Sequence, residues 1–167
     1  MGASSSAPSR PPSAPAAPAP ACRVVRDAED LRAHFEVRRQ VFVQAQGLFE
    51  ASDRDEHDLE GSTLHAVAVV GASVAGAVRL YPLDDAGLWK GDRLAVLPAV
   101  RVNRLGAMLV RFAVATAGDL GGRRMVAQIQ LPNVAFFERL GWRRHGEAAP
   151  MHGVPHQPMA IELSPGR

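Results

Sequence analysis

The residues best placed to do chemistry together are Arg101, Arg104 and Gly106, gathered at the mouth of one predicted helix. Leu94, Ala95, Val96 and Leu97 read as a strand just before them, and Pro98 ends it because proline cannot donate to a ladder. From Leu105 the period changes: Leu105, Met108, Leu109 and Phe112 fall at i, i+3, i+4 and i+7, the stripe of an amphipathic helix. A helix N-terminus presents unpaired N–H groups and partial positive charge. Arginines and a small residue beside such an end suit a phosphate group that must approach the backbone closely. A second chemistry-bearing cluster is acidic. Asp53, Asp55 and Asp58 offer oxygen ligands, but a calcium loop needs a glycine sixth and a glutamate twelfth, and His57, Asp58 and Leu64 break that series. No metal is expected. Gly71 and Gly76 have the spacing of a phosphate loop, yet Ala77 and Val78 stand where lysine and serine or threonine are needed, which excludes a nucleotide loop there.

The stretch 92–112 resembles the coenzyme A pyrophosphate loop of the GNAT superfamily, the acetyl-CoA-dependent N-acetyltransferases. That loop reads Gln/Arg-x-x-Gly-x-Gly/Ala. Arg101 fills its first position and Gly106 its last, while Arg104 stands where the middle glycine is usual. The family often places Leu-x-Val-x-Pro just before the loop, matched by Leu94, Val96 and Pro98. Downstream, Asn133, Phe136-Phe137 and Gly141-Trp142 resemble the family's asparagine, aromatic pair and Gly-Phe/Trp ending. The run Arg38-Arg39-Gln40-Val41-Phe42-Val43-Gln44-Ala45-Gln46 is similar to the first helix of a bacterial subgroup that includes ElaA-like proteins and others labelled nitrogen-starvation acetyltransferases.

The resemblance implies an α/β fold: a mixed, mostly antiparallel sheet splayed at strands 4 and 5 and flanked by helices. It implies acetyl-CoA as co-substrate, held by Leu94, Ala95 and Val96 beside the thioester, by Arg101, Val102, Asn103, Arg104, Leu105, Gly106 and Ala107 at the phosphates, and by Asn133. An equally good reading of Asn133 is a helix cap. The implied reaction is acetyl transfer to a primary amine by direct attack in a ternary complex, the acceptor being a small molecule or a peptide. An acyl-CoA sensor without efficient catalysis is the alternative. It draws on Phe137, which occupies the position of the tyrosine that protonates the leaving thiolate in many family members. A base must take a proton from the attacking ammonium, and histidine suits that work near neutral pH. His65 and His156 are the candidates, with Asp92 and Asp58 behind them.

The elements that position these residues follow from pattern. Residues 1–21 are almost wholly Ala, Pro and Ser, a composition that cannot offset its ordering entropy, so a disordered tail is expected before a domain over 22–167. Residues 22–26 read as a first strand. Asp27 is a good N-cap for a helix whose stripe is Leu31, Phe35 and Phe42, with Val41 beside it. Strands are expected at 65–70, 74–81, 88–97 and 124–130, and a helix with Pro132 at its start closes at Gly141. Trp142 begins another strand, 153–159 is a connector, and Met159, Ile161 and Leu163 alternate in the last strand.

Hydrophobic residues make up 47% and charged residues 22%, as in an ordinary globular chain of one domain. A net charge of +2 gives no bulk argument for nucleic acid, and no apolar run is long enough for a membrane helix. Eight arginines against Asp119 and Glu138 over 101–145 suit a polyanionic cofactor; the five acids over 53–60 suit either a cationic amine or plain solvation. Cys22 is the only cysteine, so neither an internal disulfide nor a covalent acyl-enzyme near the loop is expected. The expected compartment is the cytoplasm, and the oligomeric state is open, a homodimer included.

Overall fold

The computed structural model describes residues 9–15 and 18–165; the expected tail lies partly outside them. One eight-stranded sheet runs through the described residues. Its strands are β1 (Ala21–Val24), β2 (Leu64–Val70), β3 (Ser73–Pro82), β4 (Leu88–Val96), β5 (Arg124–Gln130), β6 (Arg143–Arg144), β7 (Ala149–Met151) and β8 (Val154–Glu162). The spatial order is β1-β2-β3-β4-β5-β8-β6, with β7 also on β8. Only β4 and β5 pair in parallel, and the helix α2 (Leu105–Asp119) is their crossover.

Two irregularities in β4 shape the molecule. Arg79 faces Asp92 and Ala77 faces Ala95, so the single residue Val78 opposes both Arg93 and Leu94. This bulge puts Arg93 at φ 53, a left-handed conformation that bends the strand. Pairing with β5 then covers only Leu88–Lys90 against 124–126 and stops, while both strands run on. The sheet therefore parts between β4 and β5, as the family resemblance implied.

One face of the sheet packs on α2 and on α3 (Val134–Arg139), burying Leu105, Leu109, Ala113, Met125, Met159 and Phe137. The other face is covered by α1 (Ala28–Arg38) and its π-helical continuation Arg39–Ala45, around Val37, Val41, Phe42, Ala77 and Ala95. Asp27 caps α1 as expected, its Oδ1 accepting from the Asp30 N–H at 2.8 Å. The buried side of α1 is not the expected stripe. Asp30, His34, Val37 and Arg38 face inward, while Leu31 and Phe35 are half-buried. The last hairpin also differs. The expected connector 153–159 is mostly strand, because β7 and β8 turn at His152 and Gly153, both at positive φ, and the prolines Pro155 and Pro158 sit within β8. The first strand starts one residue early, at Ala21. No helix among the described residues is long and apolar enough to cross a membrane.

Candidate active site in the split sheet

Where β4 and β5 part, they leave a cleft of about 1000 Å3 of open space, mouth included. Its floor carries Gly91, Leu94, Met125, Ala127 and Ile129. Phe42, Leu48 and Phe49 form one wall; Met151, His152 and His156 form the opposite one. The Phe49 and His152 rings lie 4.5 Å apart, and the Arg93 guanidinium sits over Phe49 at 4.9 Å, so these walls meet at a rim. The Gln130 side-chain N–H donates to Gln46 Oε1 at 3.2 Å, a further link across the cleft.

Three of the four expected base candidates separate at once. His156 lines the cleft and is 6% exposed. Its Nδ1 lies 2.7 Å from the Val154 carbonyl, which can only accept, so Nδ1 carries the proton and Nε2 of the neutral ring is the basic nitrogen. Asp92 also lines the cleft, but its carboxylate receives Arg79 Nε at 2.7 Å and Nη2 at 2.6 Å. His65 is elsewhere: it lies under α1, its Nε2 3.0 Å from Asp58 and its ring edge-on to His34 at 4.8 Å.

His65 belongs to a buried ionic network that hydrophobic periodicity could not reveal. Arg38 and Arg79 are both wholly buried. Arg38 binds Asp53 and Asp58 at 2.7 Å each; Arg79 reaches Asp55, Asp58 and Asp92; Arg93 donates to the Asp53 carbonyl and to Asp55. Burial alone would raise the Asp58 pKa, but hydrogen bonds from His65 and Arg38 overcome it and hold the carboxyl far below its usual range. The sequence left the acidic segment two readings, a lure for a cationic amine or plain solvation; Glu56 and Glu60 are exposed, but neither reading describes the three aspartates. Asp53, Asp55 and Asp58 are committed to internal arginines rather than presented to solvent.

The expected cofactor residues lie along one path. Leu94 lines the cleft, Ala95 is buried against Ala77, and Val96 pairs with Gly76. The backbone over Pro98–Asn103 is a 3-10 turn; the side chains of Arg101, Val102 and Asn103 lie outside the described residues. Arg104 is exposed, at φ 58 and ψ 19, and precedes α2 without capping it. That left-handed geometry is the physical reason a glycine would be at home there. The first hydrogen bond of α2 runs from the Met108 N–H to the Arg104 carbonyl, so the N–H groups of Leu105, Gly106 and Ala107 precede it. No acid stands in the first turn. Leu105 itself is a core residue, which leaves only its backbone for a ligand. Asn133 sits at the N-cap of α3 but its side chain makes no capping bond; it is exposed and lines the cleft. Phe137 packs edge-on against Trp142 at 5.5 Å and carries no hydroxyl into the cleft. The one tyrosine, Tyr81, is on β3, stacked on His57 at 4.4 Å, with its hydroxyl pushed above the ordinary range by burial and then by Asp92.

The sequence model of the acetyltransferase (GNAT) family matches residues 28–142, which contain both halves of the split and the uncapped helix. The chain belongs to the GNAT acetyltransferase family. It is therefore an acyltransferase. The N-acetyltransferase YjcF of Bacillus subtilis (strain 168), of uncharacterized role, is 29% identical over 137 residues, covering 81% of this chain and 95% of that protein. Among solved structures, Escherichia coli ElaA superposes with a TM-score of 0.75 at 22% identity, over 84% of this chain and 98% of that one. An acyl-CoA N-acyltransferase from Pseudomonas aeruginosa superposes with a TM-score of 0.74 at 25% identity, over 84% and 97%.

Proposed function

We propose that this GNAT acyltransferase moves an acetyl group from acetyl-CoA to a primary amine in the β4–β5 split, by direct attack in a ternary complex. The observation that carries the reading is His156: a nearly buried imidazole on the cleft wall whose Nδ1–H is spent on the Val154 carbonyl, leaving Nε2 as base. The residues fit the co-substrate. The uncapped, acid-free start of α2, with Leu105, Gly106 and Ala107 offering N–H groups, suits the pyrophosphate. Gly106 is half-buried, and a Cβ there would meet Phe136 at 3.6 Å and Val96 at 3.9 Å, ordinary van der Waals contacts.

Acetyl-CoA would supply an acyl carbon activated by its thioester. Leu94 lines the cleft on the part of β4 that β5 has left, so its backbone N–H would be a donor at the split. That N–H would steady the oxyanion formed when the amine attacks. His156 Nε2 takes the proton that the ammonium must lose before it attacks; the carbon–sulfur bond then breaks, the thiolate leaves without an acid at Phe137, and the second proton of the amine nitrogen passes to solvent or to the departing thiolate. A thiolate of ordinary pKa leaves tolerably near neutral pH.

The test is release of free thiol from acetyl-CoA with an amine panel, in the wild type and in His156→Gln. Loss of a positioned base lowers kcat by about 10² to 10⁴ while cofactor affinity holds. Equal turnover in the variant would remove His156 from the mechanism. Saturable cofactor binding with no thiol release on any amine would favour the sensor reading, for which Phe137 is the supporting observation.

A further inference from the structure

Lys90 is the only lysine in a chain otherwise supplied with arginine, and it faces the cleft. It is the last β4 residue paired with β5, at the vertex of the split, and it is half-buried. Among the described residues, three ionisable side chains besides histidine line the cleft: Lys90, Asp92 and Arg93. Asp92 is held by Arg79, and Arg93 by Asp53 and Asp55. Lys90 has no ion-pair partner among the described residues. A partly desolvated ammonium without a counter-charge is costly unless a ligand supplies one.

The register fixes where that ligand would lie. Lys90 is level with Val126, and His156 is level with Gln130, all on one face of the sheet. Val126 and Gln130 are four residues apart, about 13 Å along β5, and strand side chains stand mainly across the sheet. An acceptor amine at His156 and an anion at Lys90 are therefore separated by a chain of several atoms. Phe42, Leu48, Phe49 and Met151 give the space apolar walls.

We infer that Lys90 anchors a carboxylate at the far end of the acceptor, so that the substrate class is a chain-shaped primary amine bearing a terminal carboxylate and an apolar middle. This rests on the proposed acyl transfer at His156, and the test separates the two. Because Lys90 is the sole lysine of this chain, labelling lysine with 13C at Cε gives it a single, self-assigning signal. That signal is titrated, with coenzyme A present, using 6-aminohexanoate, hexanoate and hexylamine. Thiol release from acetyl-CoA is read with the same two amines.

Saturable shifts with both carboxylates and none with hexylamine are expected, as is a KM for 6-aminohexanoate about tenfold to a hundredfold below that for hexylamine. No saturable shift with either carboxylate, or an equal shift with hexylamine, would overturn the anchor. So would acetylation of Lys90 itself, seen as a 42 Da gain, roughly one acetyl group, on incubation with acetyl-CoA alone, since that chemistry needs a neutral amine rather than an ammonium. Carboxylate-dependent shifts without any thiol release would leave the anion site standing and bring down the acyl-transfer reading.

Discussion

Lowering the pH from 7 to 5 should destabilise this protein through one buried residue, His34. Its Nδ1–H donates to the Ala66 carbonyl at 3.0 Å, and its Nε2 lies 3.3 Å from Arg38 Nη1, so the neutral ring satisfies both neighbours. Protonation would set an Nε2–H against a guanidinium. Burial first, then the charges of Arg38 and His65, hold its pKa down to about 3 from an ordinary 6.5, with the Ala66 hydrogen bond and then Asp58 opposing. A group whose folded pKa is depressed in this way is neutral in the fold and takes its proton only on unfolding. Its stabilising contribution is complete above 6.5 and is lost as pH falls from there toward 3. At pH 5 the unfolded chain has gained 1.5 pH units of protonation, or about 2 kcal/mol at 1.36 kcal/mol per unit. For a domain of this size that is a fall in Tm of about 4–8 °C. Thermal melts at pH 7 and pH 5 measure it, alongside His34→Gln, whose amide can donate to Ala66 and accept from Arg38. The variant should lose most of the pH dependence. A flat wild type, or a variant with an undiminished slope, would refute the reasoning.

The loop before α2 gives two opposed outcomes. Arg104→Gly removes a side chain from the left-handed region and should raise unfolding free energy by about 1 kcal/mol in denaturant melts; no gain would mean that Arg104 carries no backbone strain. Gly106→Glu should leave the melt unchanged, since its Cβ meets only ordinary contacts, yet weaken coenzyme A binding at least about tenfold in calorimetry through like-charge repulsion. Unchanged affinity would put the phosphates elsewhere.

The order of most elements and the helix from Leu105 were legible because apolar periodicity and Pro98 mark boundaries directly, whereas the parting of β4 from β5 was implied by the family resemblance alone. The inward face of α1 was not. Asp30 is buried by its pairing with Arg23, His34 by its bond to the Ala66 carbonyl and Arg38 by Asp53 and Asp58; a hydrophobic pattern assigns all three to solvent and leaves Leu31 and Phe35 as the core residues. The same network explains why Asp53 and Asp58 looked like a surface charge run. The β7–β8 hairpin was hidden by its prolines, which β8 accommodates at Pro155 and Pro158. Both His65 and His156 were visible as candidates, but only tertiary placement separates a histidine tied to Asp58 from one on the cleft wall.

The most direct test of the central claim is initial-rate thiol release with acetyl-CoA and a productive amine varied together. Direct attack in a ternary complex at His156 predicts double-reciprocal lines that intersect. Parallel lines, the mark of an acyl-enzyme formed before the amine binds, would contradict it.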